Sequence, residues 1–154
     1  MKSAKDWGRL DLNSDEKLSP VVREIKETEN IYTFKEIAAI IERSRENAFR
    51  AVNRELITMY WDVGEYISIR TKEKGWGKAT VKEFAEFMKV YYPEVGGFSP
   101  QNIWRMKQFY ETYAENEKLS PLVREISWSN NLIIMMAAKS DEEREFYLLL
   151  SSLN

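Results

Sequence analysis

From Thr33 to about Arg70, the apolar positions Phe34, Ile37, Ile41, Ala48, Val52, Leu56, Tyr60, Val63 and Ile67 recur at steps of three, four or seven. That is the period of a helix with one apolar face. A single helix of this length would span roughly 55 Å at 1.5 Å per residue. A kink or break is therefore expected, with Ser44–Asn47 and Gly64 as the places for it. Thr33 and Glu36 have capping-box spacing, in which each side chain satisfies an orphan amide at a helix start. Gly75-Trp76-Gly77 punctuates the pattern. Thr80 and Glu83 repeat the capping-box spacing, with Val81, Phe84, Ala85, Phe87, Met88 and Tyr91 as the stripe behind them. Pro93 and Gly96-Gly97 end that helix.

Ser99-Pro100 reads as an N-cap followed by the first helical position, where the missing proline amide costs nothing. Ile103, Met106, Phe109, Tyr110 and Tyr113 form the apolar face behind it. Ser120-Pro121 predicts a short helix through Ile126, and Leu132–Ala138 a buried one. Ser140 with Glu143 is a third capping box, opening a helix through about Leu150. No stretch shows sustained two-residue alternation. The pattern predicts an all-α fold, a compact five- to six-helix domain over 33–154 containing a helix-turn-helix-like unit. Residues 1–32 read as a polar extension with an apolar patch only at Leu18–Ile25.

That extension carries an internal repeat. Glu16–Ile25 reads EKLSPVVREI and Glu117–Ile126 reads EKLSPLVREI, identical at nine of ten positions. A match of this quality does not arise by chance, yet ten residues are too few for a repeat architecture. Either the first copy mimics the second and docks in its groove, on the same or a neighbouring chain, or it is a relic of partial duplication.

Composition narrows the chemistry. Hydrophobic residues make up 44% of the chain and aromatics 13%, enough for a real core. With no Cys, thiol nucleophiles, disulfides and zinc–thiolate sites are excluded; with no His, the commonest general base and metal ligand are gone. Asp15-Glu16-Lys17 superficially resembles the end of a nuclease signature but lacks the preceding strand and earlier Asp. Gly75–Lys78 lacks the spacing of a phosphate-binding loop. Glu142, Glu143 and Glu145 sit in the first turns of a helix, where the dipole favours acids. The reading is therefore non-catalytic, with no metal and no cofactor. No apolar run approaches a membrane span and Met1–Leu10 lacks a signal-peptide core, so a cytoplasmic protein with no membrane partner is expected.

Net charge is −2 but uneven. Between Arg70 and Lys107 there are eight Lys and Arg against four acids, so this stretch is +4 and the remainder −6. The same stretch holds the two helices joined by a Gly-containing turn, the outline of a helix-turn-helix whose second helix enters the major groove. With the apolar stripe turned inward, Gln101, Asn102, Arg105 and Gln108 lie on or near the opposite face. Asn and Gln pair adenine edges, and Arg pairs guanine. Lys72, Lys74, Lys78 and Lys107 would add sequence-independent attraction. Trp76, between two glycines and beside Lys74 and Lys78, is the candidate stacking residue, whereas Trp61 and Trp128 are assigned to the core. Trp104 sits off the main stripe beside Lys107 and is expected against another segment. The connecting loop, Tyr92–Phe98, is longer than a tight helix-turn-helix turn.

Five segments carry a family resemblance: RAVNRELITMYWDVGEYI (50–67), GWGKATVKEFAEFM (75–88), GFSPQNIWRMKQFYETY (97–113), SPLVREISWSNNLII (120–134) and DEEREFYL (141–148). In order and spacing they resemble the bacterial YhcG-like group, whose N-terminal domain of formerly unknown function precedes a PD-(D/E)xK nuclease domain. The resemblance implies a helical, helix-turn-helix-like domain that binds DNA or contacts protein on behalf of the nuclease. The chain stops soon after EREFYL, where members continue toward the nuclease domain. It departs from the group at Pro100-Gln101, where members carry basic residues, and at Asn130, where they carry His. The expected function is thus a non-catalytic DNA-binding module of a nuclease-type protein. The alternative is a protein-interaction or dimerisation module of the same system. Partners would be DNA, a nuclease domain or partner subunit, and a second copy in a homodimer.

Overall fold

The computed structural model describes residues 30–153 and Pro20, and among these the fold is five α-helices and one 3-10 turn, with no strand. They run in the order α1 (Asn30–Lys74), α2 (Lys78–Tyr91), α3 (Pro100–Tyr113), the 3-10 turn (Leu122–Glu125), α4 (Trp128–Ala137) and α5 (Asp141–Ser152). The all-α expectation holds. The first copy of the repeat, Glu16–Ile25, lies outside the described residues apart from Pro20.

The chain divides into two units, residues 1–46 and Asn47–Asn154. In the first, the described residues are the opening turns of α1. There Tyr32, Phe34, Ile37, Ile40 and Ile41 are exposed, and Glu42 pairs with Arg45 at 3.3 Å.

The second unit holds two apolar clusters. The larger joins Ile57 and Tyr60 of α1 to Met106, Phe109 and Tyr113 of α3. Leu119, Val123 and Ile126 join from the second repeat copy, with Leu132, Ile134 and Met135 of α4 and Leu148 of α5. Aromatic edges lock it: Trp61 meets Phe109 edge-on at 5.7 Å, and Trp128 lies 4.5 Å from Tyr60 and 5.1 Å from Phe109. Trp61 and Trp128 are therefore half-buried core residues, as expected from the pattern. The smaller cluster joins Ile67, Val81, Ala85 and Ile103, with Trp76, Phe84, Phe98 and Trp104 packed against it.

Several local expectations shift. No break occurs at Ser44–Asn47 or Gly64; α1 is one uninterrupted 45-residue helix. Gly64 has a different purpose. A Cβ there would lie 2.1 Å from the Met106 carbonyl oxygen, so its absence is what lets α1 and α3 cross so closely. Thr33 lies inside α1, not at its start. Thr80 is likewise interior, because α2 begins at Lys78 with Gly77 as a cap that offers no side chain. Gly75 at φ 65° is the left-handed residue that ends α1. Ser120-Pro121 does lead into the expected short helix, a 3-10 helix over Leu122–Glu125 ending at Ile126, but Pro121 takes the cap position and no side chain caps it.

Other starts stand. The Ser99 hydroxyl accepts from the Asn102 amide at 3.2 Å with Pro100 at the first position. The Ser140 hydroxyl accepts from the Glu143 amide at 3.2 Å, and the Glu143 carboxylate reaches back to the Lys139 amide at 2.7 Å, one residue before the cap. The buried helix expected over Leu132–Ala138 starts earlier, at Trp128, capped by Ser127. It buries Leu132, Ile134 and Met135 but exposes Ile133 and Met136.

Candidate nucleic-acid interface

α3 is seated by Ile103, Met106, Phe109 and Tyr113, all fully buried. On a helix held by that stripe, Gln101 and Gln108 lie more than a third of a turn away and face outward, whereas Arg105 lies about a quarter of a turn away, at the edge of the stripe. Gln101 and Gln108 are exposed and Arg105 is half-buried. None of the three side chains has a hydrogen bond or ion pair among the described residues. Lys72 and Lys74 close α1, Lys78 opens α2, and all three are exposed. The two lysines of α1 also complement the negative end of its dipole.

Three candidates are occupied internally. The Asn102 carboxamide donates to the Gly97 carbonyl at 2.6 Å and accepts from the Trp128 indole at 3.0 Å. It thus ties the loop before α3 to α4, and a bidentate adenine contact would have to break both bonds. Lys107 pairs with Glu111 at 3.0 Å and lies 5.9 Å over the Trp104 ring. Trp76 is half-buried against the Ile67–Val81–Ala85–Ile103 cluster, which leaves less of its ring free to stack. Trp104 packs on the same cluster, as its off-stripe position foreshadowed.

One electrostatic node joins α1 to α3. Burial alone would raise the Glu111 pKa. Hydrogen bonds from the Ser68 hydroxyl and the Lys107 ammonium, with the charges of Lys107 and Lys72, outweigh it and hold the carboxyl below its ordinary value. The Ser68 bond is 2.7 Å long, and Ser68 is almost fully buried. Lys72 and Lys107, far apart in sequence, therefore act on one carboxylate.

Sequence reasoning missed a second polar constellation, around the second repeat copy. Asn53 donates to the Ile126 carbonyl at 2.8 Å. Arg54 makes two 3.0 Å bonds to the Glu125 carboxylate, and Arg124 donates to Thr58 at 3.2 Å while lying 5.0 Å over Trp61. Asn131, fully buried, donates to the Val123 carbonyl at 2.8 Å and to that of Ser127 at 3.1 Å. The available signal was the Arg-Glu pair preserved in both copies of the repeat. Phe49, Arg50 and Asn53 face Arg124–Ser127 across a shallow cavity of about 250 Å³.

Among the described residues no group of three or more Asp, Glu, His or Cys could hold a metal, and no helix is long and apolar enough to cross a membrane. No curated protein and no solved structure matches the chain. A family described as the DUF1016 N-terminal domain matches residues 36–152, which contain all five segments that resemble the YhcG-like group. The chain belongs to the DUF1016 N-terminal domain family.

Proposed function

We propose that this domain binds duplex DNA as the non-catalytic module of a nuclease-type protein, with α3 as the docking helix. The observation that carries the reading is the outer face of α3. Among the described residues the side chains of exposed Gln101 and Gln108 and half-buried Arg105 make no hydrogen bond or ion pair, while the Ile103–Met106–Phe109–Tyr113 stripe is fully buried. Exposed Lys72 and Lys74 at the end of α1 and Lys78 at the start of α2 supply attraction to phosphates without sequence preference. Arg105 is the base-reading or phosphate-clamping residue. Lys107, already paired with Glu111, contributes less. The eight-residue connection Tyr92–Ser99 makes this a loose relative of the helix-turn-helix, so docking depends on the helix face more than on a fixed turn geometry.

The test is retardation of duplex DNA across a salt series. Binding is expected to weaken steeply with salt. Arg105→Ala should weaken it about tenfold, by the ~1–3 kcal/mol of a good base contact. Lys107→Ala should cost less than the triple replacement of Lys72, Lys74 and Lys78 by Ala. Folded protein that retards no duplex at low salt overturns the reading.

A second reading, a dimerisation module, is favoured by one observation: Phe34, Ile37, Ile41 and Val52 of α1 share an apolar stripe yet are between 44% and 69% exposed. An exposed stripe of this kind marks a protein contact. A solution mass above that of the monomer, lost on deletion of residues 1–30, is the expected result; a monomeric mass at all concentrations removes it.

A further inference from the structure

We propose that α5 pairs antiparallel with the α5 of a second copy, about a twofold axis, through Phe146, Leu149, Leu150 and Leu153. This rests on the dimerisation reading and gives the contact to α5 in place of the α1 stripe. A surface helix ordinarily turns its apolar stripe to the core. On α5 the stripe points the other way. Leu148 alone of this helix is buried. Arg144 and Glu145 flank it one turn earlier, in ion pairs with Asp141 at 2.9 Å and Lys118 at 2.8 Å. Phe146, Leu149, Leu150 and Leu153 follow at steps of three, one and three, the spacing of one continuous helical stripe, and are between 45% and 83% exposed. Tyr147 is exposed too, as are Ile133 and Met136 of α4, which packs against α5.

Charge decides the kind of partner. Asp141, Glu142 and Glu143 open the helix, and its last turn holds no basic residue. An acidic end of this kind repels phosphate, so neither nucleic acid nor an anionic lipid surface suits the stripe. Symmetry and area select a second copy. The stripe has the same spacing read in either direction. An antiparallel partner therefore sets Phe146 against Leu153 and brings the two Leu149-Leu150 pairs together at the axis. It also lays opposite dipole ends side by side and keeps the two Glu142 residues about 22 Å apart, at 1.5 Å per residue. A parallel pair would press the acidic starts together. At roughly 100 Å² each, the exposed apolar side chains of α4 and α5 offer on the order of 700 Å². That exceeds the ~300–600 Å² of the largest patch on a typical monomer and matches the ~800 Å² per partner of a standard interface.

The test uses the full chain, whose mass is followed by light scattering over a concentration series. A dimer is expected. Phe146→Glu/Leu150→Glu should weaken it by about tenfold or more, by burying charge at the contact. Both side chains are exposed, so helix content by circular dichroism should not change. Ile37→Glu/Ile41→Glu, on the α1 stripe, should leave the dimer intact. The chain has no Cys, so introduced thiols report cleanly. Oxidised Leu150→Cys should give a disulfide-linked dimer, because facing residues at the axis come within disulfide reach. Glu142→Cys should give on the order of tenfold less, its two copies being far beyond that reach. A monomeric mass at every concentration overturns the proposal and the dimerisation reading together. A dimer that survives Phe146→Glu/Leu150→Glu, or is lost only with the α1 pair, overturns the α5 contact and leaves the dimerisation reading standing. Equal cross-linking at positions 142 and 150 overturns the antiparallel arrangement.

Discussion

Gly64 and Tyr113 carry the sharpest residue-scale consequences. A methyl group at Gly64 would press on the Met106 backbone, which cannot give way as a side-chain tip does. Gly64→Ala should cost about 1–3 kcal/mol, the range for overpacking, although alanine is the better helix former. Chemical denaturation measures it; an unchanged midpoint would mean the crossing has slack. Burial pushes the Tyr113 hydroxyl up to about 12, with Asp141 adding to the shift and Arg144 opposing it. The folded state therefore prefers the neutral phenol. Its preference has no effect on stability below the ordinary tyrosine value of about 10, where both states are protonated. Above that value the unfolded chain ionises first, and stability falls as the pH rises toward 12. Tyr113→Phe should abolish this part of the alkaline loss. Its hydroxyl has no hydrogen-bond partner among the described residues, so the substitution should cost little near neutrality.

At the scale of elements, helix periodicity was legible and helix ends only partly so. The stripe from Phe34 to Ile67 predicted α1, and the serine caps at Ser99 and Ser140 fell where they were read. Thr33 and Thr80 have the same local chemistry and cap nothing. The reason is that a cap needs its residue outside the helix, and the chain before it decides that. At α2 the extended Gly77 takes the cap position and the helix begins at Lys78, before Thr80 is reached. Ser99→Ala should accordingly destabilise the domain by about 1 kcal/mol, and Thr80→Ala by much less. Thermal unfolding of the two variants side by side distinguishes them. The long apolar pattern of α1 also hid a change of partner. Ile57, Tyr60 and Ile67 are buried, whereas Phe34, Ile37 and Ile41 of the same helix are exposed. Periodicity reports that a face is apolar, and not what covers it.

For the whole molecule, the candidate DNA-binding set divides by what the tertiary contacts leave free. Among the described residues the side chains of Gln101, Arg105, Gln108, Lys74 and Lys78 make no hydrogen bond or ion pair, and Lys72 lends its charge to Glu111; Asn102, Lys107 and Trp76 have internal work. Asn102→Ala should therefore lower stability by about 1–3 kcal/mol, by leaving the Gly97 carbonyl and the Trp128 indole without their partner. Its effect on DNA binding should be small once measured on folded protein. A large loss of binding with unchanged stability would instead place its carboxamide on the DNA.

The amino-acid sequence by itself determined the helical class, the apolar faces, two serine caps and the absence of thiol and imidazole chemistry, because these follow from residue type and local spacing. It also displayed the repeat, but not what the Arg and Glu of its second copy hold. Only the tertiary structure decided that, by setting Arg124 on Thr58 and Trp61 and Glu125 on Arg54, more than sixty residues away in the chain. It likewise decided that Gly64 is a crossing point and not a break, and that Asn102 faces inward. Each of these depends on a neighbour brought close by folding, and no period along one segment encodes the identity of the segment packed against it.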